Sequence, residues 1–324
     1  MISVIIPNWN GRSYLERCLH SLENQDFSIF EVIVVDNGST DASVEFIRRH
    51  FPKIRVIAFH ENRGFSRAVN EGIKRARGRY ILLLNNDVEV DPQLLRSLHE
   101  AVICLDDADF YACRMMDFHR RDLIDGVGDG FPRKGKAFRI GHGLKYGPPF
   151  HQRRRVFGAC AGAALYKKSL FAEVGLFDED FFAYHEDADW NFRANLMGYR
   201  CFCIPEAVVY HLGSSTTGSI HNEFTVFYNI RNMINVILKN MPMVLLGKYL
   251  PRILWGQMES FFRYCVIGRF WRAYVTGLFH AIRLSSKMVK KRIEIQRTKS
   301  ISNSELERLF IASERERKGV VQQG

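Results

Sequence analysis

Apolar positions in the first ninety residues fall into short unbroken runs separated by stretches of helical period. Residues 2–6, 31–35, 54–59 and 80–84 read as strands. A continuous run such as Tyr80-Ile81-Leu82-Leu83-Leu84 suits a strand buried on both faces of a parallel sheet. Between the runs, Tyr14, Leu15, Cys18, Leu19 and Leu22 recur at helical spacing over residues 13–24. Thr40 or Asp41 is placed to cap a second helix ending near Arg49, and a third spans 66–76 with Gly78 as its stop. Strand and helix alternating at this spacing predict an α/β fold, doubly wound around a mostly parallel sheet, with ligand over the carboxyl ends of the strands. Those ends are polar: Pro7 and Asn8, Asp36, Asn62, and Asn85-Asn86-Asp87. Asn85 and Asp87, two apart at a strand end, would project to one side and reach one hard cation, although Asn and Asp are also ordinary turn residues.

The pattern changes later in the chain. Residues 117–155 hold seven glycines and three prolines with little periodicity, which suits a lid, and the glycines at 126, 128 and 130 would let backbone approach a ligand. Residues 156–166 are apolar or small, as in a tightly packed strand or a floor under a flat substrate. An aromatic run then leads into His185, Glu186, Asp187 and Asp189 at the start of a helix ending near Gly198. Capping and the helix dipole account for one or two of these carboxylates and less well for three beside an apolar wall. After a strand at 199–204, His211 stands at a strand end before a Gly/Ser loop, a place for a metal ligand or a phosphate contact.

Composition narrows the classes. The loop after the first strand, Pro7-Asn8-Trp9-Asn10-Gly11, carries neither the GxGxxG dinucleotide fingerprint nor a Walker A loop. The absent Gly-rich phosphate loop also argues against a nucleotidyltransferase. Seven cysteines without a CxxC pair make no disulfide framework and point to a reduced, cytoplasmic setting; no signal peptide is expected at the N-terminus. The formal charge of +11 is uneven: residues 241–324 hold 16 Lys/Arg against 6 Asp/Glu. Residues 222–300 read as amphipathic helices, beginning with one over 222–239. Lys248, Arg252, Glu259 and Arg263 fall on one stripe, and Arg272 and Arg283 on another. Leu250, Leu254, Phe261, Phe262, Val275, Leu278 and Phe279 lie opposite. The longest run without a charge, 273–282, is too short to span a bilayer. These helices either pack on the rest of the chain or lie on anionic lipid, and the charge favours lipid. The polar residues 301–324 form one further helix or a charged tail.

Five ordered landmarks together resemble glycosyltransferase family 2, the inverting enzymes of GT-A fold. They are the Val-Ile-Ile-Pro opening, Val34-Val35-Asp36-Asn37-Gly38-Ser39-Thr40-Asp41, Asn62-Arg63-Gly64-Phe65 with Asn70, the Asn85-Asn86-Asp87 strand end, and His185-Glu186-Asp187 followed by His211. Gly126 to Gly130, Phe157-Gly158-Ala159-Cys160 and Tyr184-His185-Glu186-Asp187 bring it nearest the bacterial rhamnosyltransferases acting on lipid-linked acceptors. The resemblance implies a catalytic domain over 1–221, with a nucleotide-sugar half (1–115) and an acceptor half (116–221). It implies Asp187 as base, and Pro7, Asn8, Asp36, Asn62, Gly64, Asn70 and Asn86 on the donor. Asp87 and His211, assisted by Asn85, would hold Mg²⁺ or Mn²⁺; where the family commonly shows Asp-x-Asp, this chain has Asn first. Glu186, His185, Trp190 and Cys160 would face the acceptor. The implied donor is dTDP-rhamnose, with a UDP-sugar as alternative, and the implied acceptor is a polyprenyl-diphosphate-linked saccharide on the inner face of the cell membrane. No nucleic-acid partner is expected. A non-catalytic sugar-nucleotide or lipid-surface binding protein would keep Asp36 and the basic C-terminal region without needing Asp187.

Overall fold

The computed structural model describes residues 1–213 and 222–321. The first half alternates as expected: β1 (Ile2–Asn8), α1 (Arg12–Glu23), β2 (Phe30–Asp36), α2 (Ser43–His50), β3 (Arg55–Ala58), α3 (Phe65–Arg75) and β4 (Tyr80–Leu84). Then follow β5 (Val88–Val90), α4 (Leu94–Cys104), β6 (Phe110–Asp117), β7 (Ile124–Gly126), β8 (Asp129–Gly130) and β9 (Phe138–Arg139). β10 (Arg154–Val156), β11 (Ala163–Lys167), α5 (Leu170–Glu173), α6 (Glu186–Leu196) and β12 (Cys201–His211) complete the sheet region. Four helices end the chain: α7 (Glu223–Asn240), α8 (Met243–Phe261), α9 (Trp271–Arg297) and α10 (Asn303–Val321).

The main sheet runs β10-β12-β6-β11-β4-β1-β2-β3. β3, β2, β1 and β4 are parallel, while β11 lies antiparallel between β4 and β6. Ile81, Leu82, Leu83 and Leu84 are fully buried. Alternate residues serve opposite cores: Ile81 and Leu83 belong to the cluster that holds Val69 and Ile73 of α3, whereas Leu82 and Leu84 belong to the one that holds Leu15 and Leu19 of α1. The two-sided burial expected from the unbroken run is present.

Several local expectations change. Asp41 does not cap α2 from the N-cap position, where Ala42 has φ 61°; its Oδ1 accepts from the Ser43 backbone N–H and hydroxyl. Gly78 is not a left-handed helix stop: a Cβ there would lie 2.7 Å from Ser3 N, so close backbone approach explains it. The stretch 156–166 is the end of β10, a turn, and β11. β6 was not expected, and it pairs with β12, a single bulged strand over Cys201–His211. The glycine-rich segment contains β7, β8, β9 and β10. The Ser214-Ser215 part of the Gly/Ser loop lies outside the described residues.

The C-terminal helices pack on the sheet region. The polar end is helical: Leu306 and Phe310 of α10 are fully buried, Phe310 beside Phe131, Phe157 and Phe192. A buried charge network fastens α7 and α9. Asp189 accepts from Arg193 Nε (3.0 Å), Lys239 Nζ (2.8 Å) and Asn240 Nδ2 (2.8 Å). Asp178 accepts from Lys239 (2.7 Å) and Lys291 (2.6 Å), and Lys291 also reaches Asp180 (2.7 Å). Burial alone would raise the Asp178 pKa, but Lys239 and Lys291 hold it well below the ordinary carboxylate range.

A carboxyl whose folded pKa is depressed stabilises above its unfolded value, about 3.9, and that stability is lost as pH falls through the folded value. Acid titration followed by hydrogen exchange therefore loosens the docking of α7 and α9 only below about pH 4. Lys239→Met, which takes one charged donor from each of Asp178 and Asp189 while Lys291 and Arg193 remain, costs about 1.5–3 kcal/mol in urea unfolding at neutral pH. An unchanged midpoint would show that the network does not hold the layer.

Candidate active site

The carboxyl ends of three strands form one polar floor. Asn8 Nδ2 donates to Asp36 Oδ1 (2.9 Å), and Asn86 Nδ2 donates to Asn8 Oδ1 (2.8 Å). Asp36 Oδ2 accepts from the Ser39 backbone N–H (3.0 Å). Carboxylate oxygens have two acceptor positions each, so Asp36 retains capacity for another N–H. Pro7 lies beside this chain, paired in register with Val35. After β3, Asn62 Oδ1 accepts from Asn37 Nδ2 (2.8 Å) and the Gly64 N–H (2.9 Å). Gly64 has φ +86°, and a Cβ there would meet the Phe182 ring and carbonyl at 2.6 Å. Glycine is required where the loop touches the segment leading to Asp187.

A second cluster surrounds His211. Its Nε2 lies 3.4 Å from Asp87 Oδ1, and its Nδ1 lies 2.9 Å from Asp125 Oδ2. Burial would lower the His211 pKa, but the contacts with Asp125 and Asp87 outweigh it and raise the value to about 9. Asp87 Oδ1 is buried without a hydrogen bond. An unsatisfied carboxylate oxygen facing an imidazole nitrogen is a donor pair suited to a divalent cation whose other positions come from phosphate and water. Among the described residues, no group of three His, Cys, Asp or Glu side chains has metal-holding geometry. Among the described residues, no hydrogen bond joins Asn85 to this pair. Asn86 and Asp87 form a turn, so the two-residue alternation assumed for an extended strand does not apply; the Asn85 side chain lies beside Gly162.

Asp187 stands in the first turn of α6, half-buried. Its Oδ2 accepts from Ala161 N (3.3 Å) and its Oδ1 from Ala188 N (2.7 Å). Arg139 lies between it and the His211 cluster, with no hydrogen bond to Asp187 among the described residues: the guanidinium pairs with Asp125 and lies 3.6 Å from Cys160 Sγ. The paired Asp125 carboxylate and the Asp187 charge outweigh the burial of Arg139 and keep it protonated. Burial and the Asp187 charge push both Glu186 and Asp129 well above the usual carboxylate range. Burial likewise pushes the Cys160 thiol up, so it is neutral. His185 Nε2 lies 3.0 Å from Asn229 Oδ1 of α7, and burial lowers its pKa.

The backbone before Asp187 is strained. Phe182, Tyr184 and His185 have φ of 63°, 66° and 65°. Asn232 of α7 holds this path by donating to the carbonyls of Phe181 (2.9 Å), Ala183 (2.8 Å) and Tyr184 (2.7 Å). Two expected site residues are not brought to the opening. Asn70 spends its amide on Phe177 and Glu179, and Trp190 is fully buried with its Nε1 donating to Gly175 O (2.9 Å). Asp125, Arg139 and Asn232 were not singled out from sequence. The glycines around Asp125 pointed to its neighbourhood, but nothing local marked Asn232.

This sheet, its helices and the polar strand ends define a GT-A-type fold. The model for the family "Glycosyl transferase family 2" matches residues 3–175, and the chain belongs to that family. It is 28% identical over 214 residues to the uncharacterized glycosyltransferase EpsJ of Bacillus subtilis, covering 60% of this chain and 56% of EpsJ. It is also 28% identical over 229 residues to a PGL/p-HBAD biosynthesis glycosyltransferase of Mycobacterium bovis, covering 69% and 77%. The chain spans little more than half of EpsJ and 36% of the TuaG protein of Bacillus subtilis. In fold it resembles S. aureus TarS 1-349 in complex with UDP-GlcNAc, with TM-score 0.58, 19% identity and coverage of 91% and 89%. The mannosyltransferase PcManGT from Pyrobaculum calidifontis, in complex with GDP-Man and Mn²⁺, gives TM-score 0.53 at 16% identity, covering 92% and 85%.

Removing the Asn232 amide takes a donor from the carbonyls of Phe181, Ala183 and Tyr184. Asn232→Ala costs about 1–3 kcal/mol, and hydrogen exchange through residues 181–188 quickens beyond that of the sheet. Unchanged exchange there would contradict the grip assigned to α7.

Proposed function

We propose that the chain is an inverting glycosyltransferase. It moves a sugar from a nucleoside diphosphate to a saccharide on polyprenyl diphosphate, during cell-surface polysaccharide synthesis at the inner face of the cell membrane. The observation supporting this reading is the placement of Arg139, paired with Asp125 of the His211 cluster and near enough to the half-buried Asp187 to feel its charge. L-rhamnose from dTDP-rhamnose is the proposed donor, on the family branch that the sequence resembles. Asp36 would serve a UDP-sugar carrying galactofuranose, glucose or an N-acetylhexosamine equally, because thymine and uracil share the imide N–H.

In this reading Asp36 accepts from the base imide, with Pro7 and Asn8 beside the ring and Asn62 near the ribose or phosphates. Asp87 and His211 would hold Mg²⁺ or Mn²⁺, without Asn85. The bound ion supplies positive charge for the departing diphosphate. Asp187 accepts the proton of the acceptor hydroxyl as that oxygen bonds to the anomeric carbon. The carbon–oxygen bond to the diphosphate breaks, and its electron pair leaves with the nucleoside diphosphate. One displacement inverts the centre and needs no enzyme nucleophile. The neutral Cys160 thiol is consistent with that. His185 and Glu186 stand beside Asp187 on the proposed acceptor side.

Asp187→Asn lowers transfer by about 10²–10⁴ while donor affinity stays within a few fold. The assay is turnover against dTDP- and UDP-sugars with a polyprenyl-diphosphate-linked amino-sugar acceptor. Normal turnover in the variant would remove Asp187 as base. Donor binding without turnover by the unaltered chain across the panel would favour a binding protein. Asp125 orients His211 as a carboxylate behind a metal-ligating imidazole does, so Asp125→Asn weakens Mn²⁺ binding by about 10–100-fold in calorimetry. Unchanged affinity in Asp125→Asn and His211→Ala would place the cation elsewhere.

A further inference from the structure

The helices α8 and α9 are apolar on two faces. One face packs on the protein, with Leu245, Tyr249 and Ile253 of α8 and Tyr274, Ala281 and Met288 of α9 buried. Ionic side chains pair along its flank: Lys248 with Glu307 (2.7 Å), Glu259 with Lys134 (2.7 Å), and Lys287 with Asp180 (2.6 Å). A second set of large apolar side chains turns outward. Leu254, Trp255, Phe262, Ile267, Phe279 and Ile282 are each between 56% and 70% exposed. Among the described residues, twenty-two large apolar side chains are exposed, and seventeen of them lie between Met243 and Ile293. At about 100° per residue, those of α8 fall within an arc of roughly 140° and those of α9 within roughly 100°. A helix that only packs on its own protein would be polar on the side away from it. Seventeen half-exposed side chains present on the order of 1,000 Å² of apolar surface, beyond the usual largest patch of a monomer.

Charge indicates what covers this face. Residues 243–297 hold eleven Lys/Arg and two Asp/Glu. The ion pairs of α9 use Lys287 and Lys291. Arg272, Arg283 and Lys290 have no ion-pair partner among the described residues and line one edge of its apolar arc. A second copy placed face to face would bring two strongly positive segments together. Anionic headgroups around an acyl layer match both the apolar stripe and its basic edge. Among the described residues, no helix is long and apolar enough to cross a membrane.

We propose that α8, the π-helical turn Phe262–Ile267 and α9 lie embedded in one leaflet of an anionic bilayer, with Trp255 and Trp271 inside the interface. This deepens the membrane-surface reading above by replacing electrostatic adsorption with apolar insertion. The embedded pair is joined to the site through α7. Gly277 of α9 allows close approach to the Phe227 carbonyl, and Arg292 donates to Leu238 O (2.8 Å). Asn232, on the same α7, grips the backbone before Asp187.

The test uses the full chain with phosphatidylcholine vesicles, with and without phosphatidylglycerol, and no donor or acceptor. Its failure would therefore leave the transferase reading standing. The chain floats with the anionic vesicles and stays bound when salt is raised after binding. Lipids brominated near the headgroup quench its tryptophans; in Trp255→Phe/Trp271→Phe, which keeps Trp9 and Trp190, most of that quenching disappears. Leu254→Glu/Phe262→Glu/Ile267→Glu changes only exposed positions, keeps the native circular dichroism, and lowers partitioning by at least about tenfold. Full release at high salt, partitioning unaffected by the triple variant, or a dimer that ignores vesicles would each overturn insertion.

Discussion

The segment from Asp178 to Asp187 keeps its shape only because α7 and α9 hold it. Three non-glycine residues there occupy the left-handed region, at a cost of about 1–3 kcal/mol each. Asn232 and Arg231 offset that cost by donating to the carbonyls of residues 180, 181, 183 and 184. Lys239 and Lys291 add the buried ionic contacts to Asp178. A catalytic unit ending at residue 221 would therefore lack the groups that position its own carboxylate. The C-terminal helices belong to the site as much as to the surface.

The parallel half was legible because its strands are buried on both faces, so apolar runs mark them directly, as in Tyr80–Leu84. The polar strand ends followed from topology. β6 was harder: Arg114 interrupts its apolar run and Asp117 ends it, and its partners β11 and β12 lie far along the chain. The link between Asp125 and His211 joins residues 86 positions apart, which no local pattern reveals. Asn70 and Trp190 were misplaced for a related reason. Polarity suggested ligand contact for Asn70, but its amide closes a backbone turn at Phe177. Trp190 followed the acidic cluster in sequence, yet helix α6 rotates it into the rings of Phe110, Tyr166 and Phe171.

The C-terminal helices show how sequence can leave two readings standing together. Packing and lipid contact looked like alternatives for one amphipathic region. In the fold one apolar face does the packing, through Leu245, Tyr249 and Ile253, with Lys248, Glu259 and Lys287 paired along its edge, and a second apolar face is left outside. Helical period locates two faces without saying which one the protein covers.

The central claim is a single displacement assisted by Asp187, with no covalent sugar–enzyme intermediate. The most direct measurement is the anomeric configuration of the transferred sugar, assigned by NMR from one turnover with a donor of known configuration. The account predicts inversion. Retention would require an enzyme nucleophile or a different displacement, and would contradict it.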